Sequence, residues 1–439
     1  MRRCWWWLVL LLLASCVTPD SPSGSVIALR KKAEQPFASV VRSIDAAPYR
    51  GRVVVVWARL RSAGIAKGPN GVWIRTDGPD GKLLGFVASY DRSLIGDSEW
   101  TERRAVLKVD PAAQWIVFGA INSSTGTLWV EGIEVRVIDE LSVSPLSAET
   151  STYLEDALET IRKRAYYSNR VDWDRARATA RAIASGARTT AETYDAIRYV
   201  LGLLDDRHSH LVGPADVREQ RTSTARDFEI TGRTFGAIGY VGVPGYNGQN
   251  VARSQAFAST IETHIAEAQT AHVCRWIVDL RGDIGGNMYP MLEGLRPLLG
   301  DGTLGYFHNR GGEWIPWSAT KGGSFAREAS ADFVAVIAGH RTASAGEAVV
   351  LSFRGRPHTR NFGEPTAGQS TANQGISLSD GALIALTTGL MADRERNLAS
   401  GAIEPDERIE VPDTVKLDDD PAIAAAAAWL RAQACSSIL

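Results

Sequence analysis

The sequence predicts a multidomain protein: an N-terminal all-β sandwich, a small helical region, then an α/β domain. Three observations carry this. Short runs of β-branched and aromatic residues recur from Phe37 to Ile138, separated by turn signals. From Ser147 the apolar spacing changes to a helical period. From Gly232 onward, apolar strands alternate with helical stretches, as in an open α/β sheet. These shifts divide the chain into 1–16, 17–36, 37–140, 147–225 and 232–439, within the two to four domains that 439 residues allow. With 48 Lys and Arg against 50 Asp and Glu, and no long basic run, nucleic acid is excluded as a partner.

Residues 1–16 read as a secretory signal: Arg2-Arg3, an apolar run from Trp5 to Leu13 too short to span a bilayer, then small residues up to Cys16. Leu13-Ala14-Ser15-Cys16 resembles the bacterial lipobox, which implies lipidation of Cys16 and a membrane anchor. The expected location is the cell envelope, at an outer membrane facing the periplasm of a Gram-negative bacterium. Residues 17–36, rich in Ser and Pro at their start, read as a tether. Cys274 and Cys435 then remain as candidates for one disulfide in an oxidising compartment. No Cys/His cluster has zinc spacing, so neither metal nor cofactor is expected.

Six strands are expected in the sandwich, around Val53–Leu60, Val72–Arg75, Leu83–Val87, Arg104–Val109, Trp115–Ala120 and Thr127–Val135. Their order resembles jelly-roll, galactose-binding-like modules. Trp57, Trp73, Trp100, Trp115 and Trp129 are either core residues or a sugar-stacking platform that would make a glycan a partner. In the helical region, Leu154, Leu158 and Ile161 form one stripe, Asp174 to Ile183 continues it, and Thr189 with Glu192 forms a capping box before a helix from Tyr194 to Leu204. The α/β part supplies strands at Phe235–Val243, Trp276–Leu280, Leu304–Phe307 and Phe333–Ala338, and a closing helix near Pro421–Gln433.

Two loops carry candidate chemistry. After Phe333–Ala338 comes Gly339-His340-Arg341-Thr342-Ala343-Ser344-Ala345-Gly346-Glu347, opening a helix. A serine between a strand and a helix start is exposed, with free N–H groups beside it, so Ser344 is a candidate nucleophile. A serine hydroxyl needs a base. His208 and His210, after the run Asp205-Asp206-Arg207, are the candidates, with His340 a weaker one. An oxyanion needs two donors. Ala345 N–H is one, and Gly285-Gly286, following Asp279-Leu280-Arg281-Gly282-Asp283-Ile284, offers the other without a side chain in the way.

The segments Asp279–Gly286, Thr342–Glu347, Gly363–Gly368 and Gly401–Asp406 resemble, in order, the signatures of the S41 serine peptidases, which include C-terminal processing peptidases, the tricorn core and the nisin-resistance protein. The resemblance spans about residues 150–420. It implies a ClpP/crotonase-like core, a peptide or protein substrate, Ser344 as nucleophile and an oxyanion hole of Ala345 with Gly285 or Gly286. The lysine base of the processing peptidases falls on Gln369, and an amide cannot take the proton. Asp206-Arg207-His208-Ser209 resembles instead the histidine-using branch, without a PDZ domain, and points to His208 as base. In the tricorn type, Ser and Glu residues orient that histidine, which makes Ser209, Glu404 and Glu395 orienting candidates. Two other readings remain open: a non-catalytic ligand carrier on this fold, as in the interphotoreceptor retinoid-binding proteins, and a glycan-binding envelope protein acting through the sandwich.

Overall fold

The computed structural model describes residues 26–138, 144–223, 228–269, 273–319, 332–412 and 416–435. The signal segment, Cys16 and residues 17–25 of the expected tether lie outside them. The chain divides into two compact units: Met1–Leu158 with Asp172–Leu203, and Glu159–Val171 with Leu204–Leu439.

The first unit holds eight strands: β1 (Ile27–Arg30), β2 (Ala38–Asp45), β3 (Val53–Ile65), β4 (Asn70–Asp77), β5 (Leu83–Ala88), β6 (Gly96–Lys108), β7 (Trp115–Asn122) and β8 (Thr127–Val137). They form two four-stranded antiparallel sheets, ordered β1-β8-β3-β6 and β2-β7-β4-β5. Alternate residues of both sheets, among them Val54, Val56, Ala58, Ile74, Phe118 and Leu128, make one core, so the region is a sandwich. The tether therefore ends earlier than expected: Ile27–Arg30 is an edge strand paired with Thr127–Val130. Four residues alone are too short a pattern to show this; only pairing with β8 defines the strand. The five tryptophans are no common platform. Trp73 is fully buried, and Trp57 and Trp129 carry Arg136 and Arg61 over their rings, 4.9 and 4.5 Å from the centroids. Helices α1 (Ala148–Arg164), α2 (Trp173–Ile183) and α3 (Tyr194–Gly202) follow. Glu192 accepts the Thr189 N–H at 3.1 Å, and this capping box opens a 3-10 turn that leads into α3.

In the second unit, β9 (His210–Val212) and α4 (Pro214–Thr222) precede a mixed sheet. Its strands are β10 (Thr231–Phe235), β11 (Ile238–Gly242) and, after α5 (Val251–Gln269), β12 (Arg275–Asp279). Helices α6 (Met288–Gly294) and α7 (Arg296–Leu299) follow, then β13 (Gly305–Asn309) and β14 (Trp314–Trp317). The chain continues through β15 (Phe333–Ala338), α8 (Ala345–Phe353), β16 (Thr359–Gly363), β17 (Thr371–Ser377), β18 (Leu383–Ala392), β19 (Glu407–Arg408) and α9 (Pro421–Arg431). Strands β11-β12-β15-β16-β19 are parallel, with β10 added antiparallel at the edge. Both faces are covered, which is why these strands read as continuous apolar runs. Trp276, Val278, Val334 and Val336 pack against α5 to α8, while Ile277, Ala335 and Ile337 pack against α9.

One part of the α/β expectation is corrected. Strands β13, β14, β17 and β18 do not extend the parallel sheet but form a second, antiparallel one, ordered β14-β13-β18-β17, with β9 paired to β18. A strand's sheet membership is set by its distant hydrogen-bonding partner, which periodicity does not contain. Cys274 and Cys435 are disulfide-bonded, with Cα atoms 6.2 Å apart.

Candidate active site

The turn carrying the candidate nucleophile, Ser344, is built by the end of β15 and the start of α8. Ser344 has φ 53° and ψ −110°, a left-handed backbone that a serine adopts only when its surroundings impose it. Three neighbours do so. Thr342 Oγ1 donates to the Leu280 carbonyl at 2.9 Å, and Ala343 N–H donates to the Asp283 carbonyl at 3.0 Å. Glu347, fully buried in the first turn of α8, accepts the Ser344 N–H at 2.9 Å. Its other oxygen accepts from Thr366 Oγ1 at 2.5 Å and Gly368 N–H at 2.9 Å, tying in the loop after β16. Burial pushes the Glu347 carboxyl up, and these donors pull it back down.

The candidate base, His208, lies in the turn before β9 of the second sheet. Asp205 and Arg207 turn the chain at positive φ just before β9. Asp206 holds the turn: its Oδ1 accepts the N–H groups of His208 and Ser209 at 3.0 and 2.8 Å, and Oδ2 accepts the Ser209 hydroxyl at 2.6 Å. His208 Nε2 lies 2.9 Å from Ser344 Oγ. Burial, and to a lesser degree His210, lowers the His208 pKa to about 4, so the ring is neutral at pH 7 and free to accept a proton. Its Nδ1 lies 2.6 Å from Thr371 Oγ1, at the start of β17. Thr371 approaches Thr387 Oγ1 at 3.4 Å, Thr387 donates to Asn373 Oδ1 at 2.8 Å, and Asn373 Nδ2 donates to the His208 carbonyl at 3.0 Å. Because the Asn373 oxygen can only accept, the hydroxyls run one way and Nδ1 carries the proton, leaving Nε2 as the acceptor facing serine.

His210 does not share this place. It is exposed, its Nδ1 lies 2.9 Å from the His208 carbonyl, and its backbone is held in β9 opposite Ala385. His340 is exposed and paired with Glu364 at 3.0 Å. Neither candidate orienting glutamate has a hydrogen bond to the His208 ring among the described residues. The Glu404 carbonyl accepts from Arg354, and the Glu395 carboxylate accepts from Asn397 at 3.4 Å. Nδ1 is met by a threonine instead, because β17 brings Thr371 against the ring. Ser209 acts one residue away, its hydroxyl oxygen accepting the Thr387 N–H at 3.0 Å and fastening the turn to β18.

The two glycines divide the work. Gly285 N–H is taken by Asp283 Oδ1 at 3.0 Å. Neither Gly286 N–H nor Ala345 N–H has a hydrogen-bond partner among the described residues. Both glycines need their lack of a side chain: at Gly285 (φ 99°) a Cβ would fall 2.9 Å from Ser344 Cβ, and at Gly286 (φ 120°) 2.2 Å from the Tyr246 carbonyl oxygen. The result is a hydroxyl, a neutral imidazole and two free amides, the parts needed for acyl transfer. Thr371, Thr387, Asn373 and Glu347 were not singled out from sequence. Only Glu347 had a local signal, its i+3 spacing from Ser344.

Residues 237–409 match the family model described as peptidase family S41. The nisin-resistance protein of Lactococcus lactis subsp. lactis is 27% identical over 267 residues, covering 58% of this chain and 81% of that protein. A lipoprotein from Streptococcus agalactiae superposes with a TM-score of 0.57 at 24% identity, over 66% of this chain and 99% of that one. The matched segment holds the β11-to-β19 sheet, the Gly285-Gly286 loop and the Ser344 turn, and over these residues the chain is similar to peptidase family S41.

Proposed function

We propose that this protein is a serine peptidase of the cell envelope in which His208 and Ser344 cleave a peptide bond. The 2.9 Å contact between His208 Nε2 and Ser344 Oγ carries the reading. His208 takes the serine proton as the hydroxyl attacks the peptide carbonyl. The oxyanion is held by Gly286 N–H and Ala345 N–H. His208 then protonates the leaving amine, and water repeats the sequence on the acyl-enzyme. An imidazole depressed by burial gives its proton up readily, which suits the second half of each transfer.

The envelope location rests on the Cys16 lipobox, with an outer-membrane anchor facing the periplasm as its most specific form. The likeness to a lipoprotein of known structure is in keeping with it. We read the sandwich as jelly-roll-like and the second unit as a ClpP/crotonase-like core. The ligand-carrier alternative is disfavoured by a nucleophile, base and donor pair kept together.

The test is labelling by a fluorophosphonate probe together with peptide cleavage. Ser344→Ala is expected to abolish labelling. His208→Ala is expected to lower the labelling rate by about 10³-fold or more, while His210→Ala changes it little. Full labelling of Ser344→Ala, or activity lost only in His210→Ala, overturns the reading.

A further inference from the structure

Asp283 is a carboxylic acid with no solvent exposure, set directly under the candidate oxyanion site. Its Oδ1 accepts the Gly285 N–H at 3.0 Å. Its Oδ2 is buried and has no partner among the described residues. Its own carbonyl accepts the Ala343 N–H at 3.0 Å, and its N–H donates to the Leu280 carbonyl at 2.9 Å. A Cβ on Gly346 would fall 2.8 Å from its carboxyl carbon, so the group is pressed between the Gly285-Gly286 loop and the first turn of α8.

We propose that Asp283 is a positioning residue that works as an uncharged acid, holding Gly285 N–H so that Gly286 N–H is the one left for the oxyanion. The proposal deepens the serine-peptidase reading and rests on it. Were Asp283 replaced by a side chain with no acceptor, Gly285 N–H would be an orphan and the loop free to turn. Were Asp283 ionised, a carboxylate would lie beside the site where negative charge develops. The neighbouring charged groups offer it no counter-ion. Arg281, on its own loop, is bound to Asp279 and Asp420. Glu347, on α8, is acidic and held by its own donors, and His208 is engaged with Ser344 and Thr371. Burial pushes the Asp283 carboxyl up to about 8, the Gly285 N–H opposing only in part. The free Oδ2 can carry the proton.

Two measurements test this on the full chain. The first is the rate of fluorophosphonate labelling against pH for wild type, Asp283→Asn and Asp283→Ala. The asparagine oxygen can take Oδ1's place and does not titrate. Asp283→Asn is expected to label like wild type near neutrality and to keep its rate to about pH 10, while wild type falls above about 8. Asp283→Ala is expected to be roughly tenfold slower or more throughout. An alkaline fall shared by Asp283→Asn, or a loss as large as that of Asp283→Ala, overturns the proposal.

The second measurement is Tm against pH for wild type and Asp283→Asn. Because the folded pKa lies above the ordinary value of 3.8, the stability from the uncharged acid is complete below that value and is lost as pH rises to about 8. The Tm of Asp283→Asn relative to wild type is therefore expected to climb over that interval and level off above it. A difference that stays constant from pH 4 to 8 overturns the uncharged acid. If wild type takes no label, the peptidase reading falls, and the Tm series still decides the state of Asp283.

Discussion

His208 meets Ser344 with its far nitrogen held by a hydroxyl rather than a carboxylate, and the difference has consequences. A carboxylate both fixes the tautomer and stabilises the imidazolium. Thr371, backed by Thr387 and Asn373, can do only the first. Thr371→Val is therefore expected to slow fluorophosphonate labelling by roughly 10- to 100-fold, less than the ~10⁴-fold known for loss of a buried aspartate partner. Thr371→Ser is expected to restore most of it. The labelling rate of the wild type should be flat from about pH 5 to 7.5 and fall by half near 4, where His208 takes up its proton. A midpoint near 6.5, or no effect of Thr371→Val, would show that the ring is neither desolvated nor oriented in this way. The same depression costs stability as pH falls from 6.5 toward about 4, since the unfolded chain then binds a proton that the folded one refuses.

The elements that position this site are joined by one buried ion network. Arg281, in the loop after β12, is held by Asp279 at 2.5 Å and by Asp420 at 2.5 Å, and Tyr240 donates to Asp279 at 3.0 Å. Asp420 also caps α9, accepting the N–H groups of Ala422 and Ile423 at 2.9 and 3.2 Å. One carboxylate thus fixes the helix covering one sheet face and the loop that leads to Asp283 and Gly285. Asp420 is 3% exposed and Arg281 keeps Asp279, so removal of Asp420 takes away one of the two carboxylates on Arg281 together with the cap of α9. Asp420→Ala is expected to lower unfolding stability by about 2–4 kcal/mol in urea titrations, from the lost cap and the lost charged hydrogen bond. A change below about 1 kcal/mol would mean that the network is solvated. The motif Asp279-Leu280-Arg281-Gly282 was visible in the sequence, and its partner Asp420 was not, lying 139 residues away.

At the scale of the molecule, the cysteines tie structure to compartment. Cys274 and Cys435 are bridged across 161 residues of chain, a cross-link that persists in oxidising surroundings. Together with the proposed lipidation of Cys16, this gives a joint expectation for cell fractionation. Wild-type protein should pellet with membranes and migrate on non-reducing gels as the bridged form, while Cys16→Ser should leave the membrane fraction. Free Cys274 and Cys435 thiols in freshly isolated protein, or Cys16→Ser still in the pellet, would place the chain elsewhere.

The sandwich, the α/β alternation and the Ser344 turn were legible because each is written in local patterns: turn residues between short strands, apolar runs, and a serine between a strand and a helix. His208 was singled out before its partner could be known, because a polar run after a helix and a family signature coincide there. The resemblance also supplied Glu404 and Glu395 as orienting groups, and the fold puts Thr371 against the ring instead. Which glycine amide stays free, and how Asp283 sits beneath the loop, depend on Tyr246, Ala343 and Gly346, segments that meet only after β11, β12 and β15 pair. The residue types and their order are local properties of the chain and can be read from it. The direction of a hydrogen bond and the burial of a carboxyl are set by residues far apart in sequence, and only the tertiary structure decides them.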